Sequence, residues 1–226
     1  MLIPSYNTGP RLAQTAAEAI AVWPEVWVVI DGSTDNSDQA IEATPGLRIL
    51  LLPNNIGKGA AVLHGISKAS AEGFTHVLTL DADGQHCVDH ISEMMALSGA
   101  TPRAMILGTP VFGPEAPLAR VLGRRISNLL ARLLSGADIH DSLYGMRVYP
   151  IADLLRAFGE TRWMRRYDFD AEAAIRLCRM GVTPINMPTP VRYFAKDEGG
   201  VSHFRYLRDN LVLAFMFARL LRPSRR

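Results

Sequence analysis

Val77 to His86 reads VLTLDADGQH, an apolar run that ends in two carboxylates, a carboxamide and an imidazole. The run has the character of an interior strand, so the charge at its end needs a purpose. Side chains alternate along an extended strand, which sends Thr79, Asp81 and Asp83 to one face and Leu78 and Leu80 to the other. Gly84 lets the chain turn sharply and brings Gln85 or His86 back toward the carboxylates. Close carboxylates repel unless a cation sits between them or one takes a proton. Hard oxygen ligands suit Mg²⁺ or Mn²⁺, ions that commonly bridge protein carboxylates to a diphosphate. The plain alternative is a surface Asx turn. The apolar strand before the motif weighs against it.

Outward from this stretch, strands and helices alternate. MLIPSY, VWVVID, LRILLLP, HVLTLD and AMILGT read as strands. Between them RLAQTAAEAIAVW, the segment after NNIGKG, and HISEMMALSG read as helices. Alternation of this kind predicts βαβ units and an α/β fold, a mostly parallel mixed sheet flanked by helices. Ligands bind at the carboxyl ends of the strands in such sheets, and the Asp81–Asp83 pair lies at one of them. The second half predicts an arginine-rich amphipathic helix over 118–134, with Leu122, Ile126, Leu129, Leu130 and Leu133 on its apolar side. A short strand at YGMRVYP, helices near 151–158 and 169–180, a Pro-punctuated strand at TPINMPTPVRYF and a terminal helix follow. No repeat or linker interrupts the chain, so one domain over 1–226 is expected.

The other polar clusters are weaker alone. NNIGKG precedes a helix, where backbone amides and Lys58 can meet a phosphate; a solvated lysine on a loop is the competing reading. Asp31 stands at another strand end in VVIDGSTDNS, suited either to a nucleobase N–H or to a helix N-cap. ADIHDSLYGMR holds Asp138, His140, Asp141 and Arg147, with Arg147 a candidate structural partner for Asp141. YDFDAEAAIRLCRMG carries Asp168, Asp170 and Glu172 at a helix start, where acids suit the helix dipole. His86, His140 and His203 lack ligand spacing, which argues against zinc.

The chain has 226 residues and a formal net charge of +2, a balance that gives no reason to expect a nucleic-acid partner. Cys87 and Cys178 have neither metal spacing nor a partner pattern, which fits a reducing compartment. The apolar run from Leu211 to Ala218 falls far short of the ~20 residues needed to span a bilayer. A cytoplasmic protein is expected, with peripheral contact to the membrane face as an option.

Taken in order, IPSYN, VIDGSTDNS, NIGKGAAVLHGI, LDADGQH, DSLYGMRVY and YDFDAEAAIRLCRMG resemble the motifs of family 2 glycosyltransferases. The resemblance spans essentially the whole chain and is greatest to the polyprenyl-phosphate (dolichyl-phosphate mannose synthase-like) branch. It implies a GT-A fold, a UDP- or GDP-sugar donor, a divalent metal and inversion at the anomeric carbon. It also divides the chain into a nucleotide-sugar half over about 1–110, an acceptor half over about 111–203 and a C-terminal helix over about 204–222. Carried over by motif, Pro4, Tyr6 and Asn7 line the nucleotide pocket, Asp31 faces the base, Lys58 lies near the nucleotide and Asp81 contacts ribose or metal. Asp83 and Gln85 complete the metal site. Arg124 is the candidate for an anionic acceptor group, and Asp141 and Arg147 fall in the acceptor-side D-S-x-x-G-x-R stretch. Asp141 is the first candidate for a general base if the acceptor is a hydroxyl; a phosphate acceptor needs none.

The chain departs from the family in three places. Ile30 replaces the first of two aspartates before Gly-Ser, and Gly108-Thr109-Pro110 lacks the arginine of the branch's G-S-R. The first strand is also shorter than usual, which suggests a truncated start. The ending GGVSHFRYLRDNLVLAFMFARLL resembles glycosyltransferases of bacterial aryl-polyene lipid clusters. Its Leu207, Leu211, Phe215 and Ala218 recur at helical spacing among Arg205, Arg208, Arg219, Arg222, Arg225 and Arg226. Such a segment suits either an anionic lipid surface or a packed core. Two other classes stay open, a sugar-phosphate nucleotidyltransferase and a non-catalytic nucleotide-sugar binder. The first expects a glycine-rich, arginine-bearing first loop, which PSYNTG is not.

Overall fold

A computed structural model describes residues 1–112, 118–192 and 206–221. Its seven strands are β1 (Leu2–Ser5), β2 (Val26–Asp31), β3 (Leu47–Leu52), β4 (His76–Thr79), β5 (Ala104–Val111), β6 (Arg147–Pro150) and β7 (Thr183–Pro190). They form one sheet in the order β3-β2-β1-β4-β6-β5-β7. All neighbours run parallel except β6, which is antiparallel to both β4 and β5. The helices are α1 (Pro10–Val22), α2 (Gln39–Glu42), α3 (Lys58–Ala71), α4 (Ile91–Ala100), α5 (Leu118–Ser135), α6 (Ile151–Gly159), α7 (Phe169–Arg179) and α8 (Tyr206–Leu220).

The pleat divides the core in two. Trp27 and Val29 of β2 face a cluster with Ile66 of α3 and Phe169 of α7. Val26, Val28 and Ile30 face a second cluster with Leu12 of α1 and Ile91 of α4. Every β2 residue is buried, as expected of a strand covered on both faces. Leu78 and Leu80 lie in the second cluster, whereas Thr79 points the other way and donates to the Gly145 carbonyl. The alternation expected of VLTLD is therefore present.

Strand order positions the site. The sheet reverses direction of growth between β1 and β4, and the crevice at their carboxyl ends is where such sheets take ligands. Because β6 runs antiparallel, with Arg147 opposite Thr79, the loop before it arrives beside Asp81.

One expectation about surfaces changes. The row Leu122, Ile126, Leu129 and Leu133 of α5 faces solvent, each residue being more than half exposed. The buried strip of this helix is Ser127 and Ala131, small residues that let it approach α7 closely. In α8, Leu213, Met216, Phe217 and Leu220 pack inward, while Leu211 and Phe215 are exposed. Leu207's side chain, Arg205, Arg222, Arg225, Arg226, Arg120's side chain and His203 lie outside the described residues.

Candidate active site

The carboxyl ends of β1, β2 and β4 open into a cleft of about 920 Å³. Its floor carries Asp81, Asp83, Gln85, His86, Lys58 and Asp170. Gly84, at φ 74°, makes the turn that VLTLDADGQH requires, and Asp83 Oδ1 accepts the Gln85 amide at 3.0 Å. The Asp81 amide donates to His86 Nδ1 at 3.4 Å, which leaves the ring proton on Nε2, 3.6 Å from Asp81 Oδ2. Burial drives the His86 pKa down to about 4 against the pull of Asp81, so the ring is neutral. Gly145 explains why the D-S-x-x-G-x-R loop needs a glycine. A Cβ there would meet Asp81 Oδ2 at 2.3 Å.

Lys58 is not a solvated loop lysine. Its Nζ lies 2.6 Å from Asp81 Oδ1 and 2.6 Å from Asp170 Oδ2. Burial opposes its charge, but the two carboxylates more than compensate and raise its pKa, so it stays an ammonium. Burial raises the Asp170 pKa despite Lys58 and Arg147, and Asp170 Oδ1 has no hydrogen-bond partner. Asp81 moves the other way: burial disfavours its charge, yet Lys58 and His86 win and lower its pKa. Two amides of NNIGKG, and that of Ala60 just beyond it, are engaged already. Asp31 accepts from Ile56 N and Gly57 N at 2.8 Å each, and Ala60 N donates to the Arg165 carbonyl. These bonds withdraw three donors near the start of α3 from any phosphate.

Asp31 itself lines the cleft, with its carboxylate also bonded to Asn55 Nδ2 at 3.0 Å. It caps no helix, because α2 begins at Gln39. Pro4 and Tyr6 line the cleft. Asn7, at φ 47°, stands behind it and accepts the Thr34 amide at 2.7 Å, tying the β1 loop to the β2 loop.

The acceptor side brings two corrections. Arg147 is fully buried and donates to four acceptors: the carbonyls of Tyr144, Asp141 and Asp170 and the Tyr149 hydroxyl. It braces the floor from beneath and does not reach an acceptor. Asp141 is also buried and is not a cleft residue. Its Oδ1 accepts from Arg124 Nη1 at 2.6 Å, Leu143 N at 2.9 Å and Tyr144 N at 2.7 Å. With three donors on this oxygen and no place in the cleft lining, Asp141 orients Arg124 and is not placed as a base. Arg124 does line the cleft, its guanidinium 5.5 Å from the Phe112 ring centroid. It puts a positive charge on a side where Thr109 brings none.

The acids of YDFDAE stand at the start of α7 as expected, Asp168 at its N-cap and Asp170 and Glu172 in its first turn, and they also have particular partners. Asp168 accepts from Met164 N and Arg166 N. Glu172 is fully buried and pairs with Arg176 and Arg219, the latter through both oxygens. That pair fastens α8 to α7, and α8 then supplies a cleft wall of Leu213, Ala214 and Phe217. Arg219 is thus a structural residue and not a free lipid-facing charge. Tyr144, Arg166 and Tyr167 also line the cleft without having been named in the sequence, and Arg208, read there only as part of a basic terminal helix, lines it too. Tyr144 and Tyr167 lie inside motifs, DSLYGMRVY and YDFDAEAAIRLCRMG, whereas Arg166 carries no local signal.

Oxygen donors from Asp81, Asp83 and Gln85 fit a hard divalent ion held jointly with substrate phosphates, an arrangement that Mg²⁺ favours. Among the described residues no three His, Cys, Asp or Glu side chains group as a metal site, so such an ion would rely on this short set and the ligand.

The sequence model of glycosyl transferase family 2 matches residues 1–169. The chain belongs to glycosyl transferase family 2. This glycosyltransferase is 26% identical over 212 residues to a polyprenol monophosphomannose synthase of Mycolicibacterium smegmatis, covering 89% of the chain and 79% of that protein. It is 25% identical over 198 residues to an undecaprenyl-phosphate mannosyltransferase of Micrococcus luteus, covering 83% and 80%. Among solved structures, its fold matches glucosyl-3-phosphoglycerate synthase of Mycobacterium tuberculosis in complex with Mn²⁺, UDP and glucosyl-3-phosphoglycerate. The TM-score is 0.67 at 17% identity, over 99% of the chain and 80% of that protein. The expected GT-A fold is thereby found. No described helix of the glycosyltransferase is long and apolar enough to cross a membrane.

Proposed function

We propose that this glycosyltransferase moves a sugar from a nucleotide-diphospho-sugar to a polyprenyl-phosphate or similar lipid-linked acceptor, with inversion and with Mg²⁺ or Mn²⁺. The observation that carries the reading is the build of the cleft. An acidic floor at the strand ends faces a wall that is apolar at Ile126, Leu130, Leu213 and Phe217 and basic at Arg124 and Arg208. An isoprenoid phosphate matches that wall in both respects. The two curated relatives named above support the same acceptor class.

Pro4, Tyr6 and Asp31 bind the nucleoside, with Asn7 holding their loops together. Asp81, Asp83 and Gln85 hold the divalent ion, which when bound neutralises charge on the departing diphosphate. Lys58 adds a positive charge beside it. Arg124, aimed by Asp141, receives the acceptor phosphate, and the apolar wall excludes water from the anomeric carbon. A phosphate oxygen then attacks opposite the leaving group. It is already anionic, so the absence of a free carboxylate at Asp141 is no obstacle. The 1–110 and 111–203 halves act as one unit, and the exposed leucines of α5 meet the membrane face.

The test is transfer of radiolabelled sugar from a panel of UDP- and GDP-sugars into an organic-extractable product, with polyprenyl phosphate and Mn²⁺. Transfer is expected to stop with EDTA and in Asp83→Ala. Transfer to soluble hydroxyl acceptors but never to polyprenyl phosphate would refute the acceptor; undiminished turnover in Asp83→Ala would refute the metal site.

A further inference from the structure

We propose that Lys58 is an internal counter-cation that competes with the divalent ion for Asp81, and that Asp170 is the partner holding it in place. This rests on the reading of Asp81 as part of the cation site. The ammonium sits between the two carboxylates at 2.6 Å from each. Their side chains are not equivalent: Asp81 is 28% exposed and Asp170 is 6% exposed. An arriving ion can therefore contest Asp81, while Asp170 stays behind with the lysine.

The root of Lys58 cannot shift to make room. Ala60 N is bonded to the Arg165 carbonyl, and Gly59 lies so close to the Met164 carbonyl that a Cβ there would be 2.1 Å away. Only the flexible side chain can move, swinging its ammonium from Asp81 while Asp170 retains it. An ammonium has three donors, of which the two carboxylates use two. A nucleotide diphosphate offers acceptor oxygens for the third and gives the ammonium a reason to turn away. A divalent ion arriving alone meets a carboxylate that is already neutralised. One arriving with a diphosphate meets a carboxylate being released. The chain is thereby built to bind the ion weakly by itself and strongly with the nucleotide, which keeps an empty site from retaining metal.

Mn²⁺ binding, followed by loss of the free-ion paramagnetic resonance signal, tests this without turnover. Wild-type protein is titrated with and without UDP and GDP, beside Lys58→Met and the double variant Lys58→Met/Asp170→Asn. The double variant removes one charge of each sign, so net charge is unchanged and no buried carboxylate is stranded at Asp170. Both variants are expected to bind Mn²⁺ alone at least about tenfold more tightly than wild type, a modest share of the attraction between charges at this range. The nucleotide-induced gain seen in wild type should shrink correspondingly. Unchanged or weaker Mn²⁺ affinity in the folded double variant, with wild type still responding to nucleotide, would overturn the competition and leave the cation site standing. No Mn²⁺ binding by wild type even with UDP or GDP would overturn both.

Discussion

Arg219→Leu should loosen α8 and with it the apolar wall of the cleft. Glu172 is completely buried; its Oε1 accepts from Arg219 Nη1 at 2.8 Å and Arg176 Nε at 2.7 Å, and its Oε2 accepts from Arg219 Nη2 at 2.5 Å. The Arg219 guanidinium also lies 4.8 Å from the Trp163 ring centroid, and Trp163 packs edge-on against Phe215 at 5.3 Å. Removing one partner of a buried pair typically costs ~3–5 kcal/mol, because the other charge is stranded. Arg176 still serves Oε1, which places the loss near the lower end, and the lost cation–π contact adds roughly 0.5–1 kcal/mol. At ~2–4 °C per kcal/mol for a chain of this size, Tm should fall by roughly 7–16 °C. Thermal melts and amide hydrogen exchange across α8 measure it. The double variant Arg219→Leu/Glu172→Gln strands no charge and should recover much of the loss. A Tm within about 2 °C of wild type with unchanged α8 protection would refute the latch. The single variant should also raise KM for a lipid acceptor while leaving nucleotide affinity nearly unchanged.

Gly145→Ala should cut turnover strongly, since its methyl group would occupy the place of Asp81 Oδ2; Mn²⁺ affinity in the presence of nucleotide should fall in parallel, and normal values would contradict the packing. Arg124→Gln should raise KM for an anionic acceptor by about tenfold or more, the loss expected when a charged hydrogen bond is removed, with donor hydrolysis retained. His86 is held neutral, its pKa lowered from 6.5 to about 4. The unfolded chain therefore binds the extra proton first, and the stability His86 contributes is complete above about pH 6.5 and lost as pH falls toward 4. His86→Gln should flatten that limb of the stability–pH curve, and an identical curve would exclude the assignment.

Much of this was legible locally. The unbroken apolar run of VWVVID reports burial on both faces of the sheet, and Gly84 after Asp83 reports the turn that gathers the floor. These features depend on neighbours within a few residues, where backbone geometry couples directly to side-chain type. The motif residues Pro4, Tyr6, Asp31, Lys58, Asp81, Asp83, Gln85 and Arg124 do share one cleft. What the string of residues left open was direction and pairing. The apolar row of α5 is equally visible whether it faces core or solvent, because periodicity marks a stripe without saying what covers it.

The sequence by itself determined the order of strands and helices and the presence of a polar motif at the end of β4. Only the tertiary structure decided which charges are tools and which are braces. Lys58 and Asp170 are separated by 112 residues, and Glu172 and Arg219 by 47. Both pairs exist because the chain returns across the sheet and packs α3, α7 and α8 together. Insertion of antiparallel β6 between β4 and β5 likewise buries Arg147 and turns Asp141 onto Arg124. A charged side chain taken from water must find a partner wherever the fold puts one, and that partner is set by strand order and not by spacing along the chain.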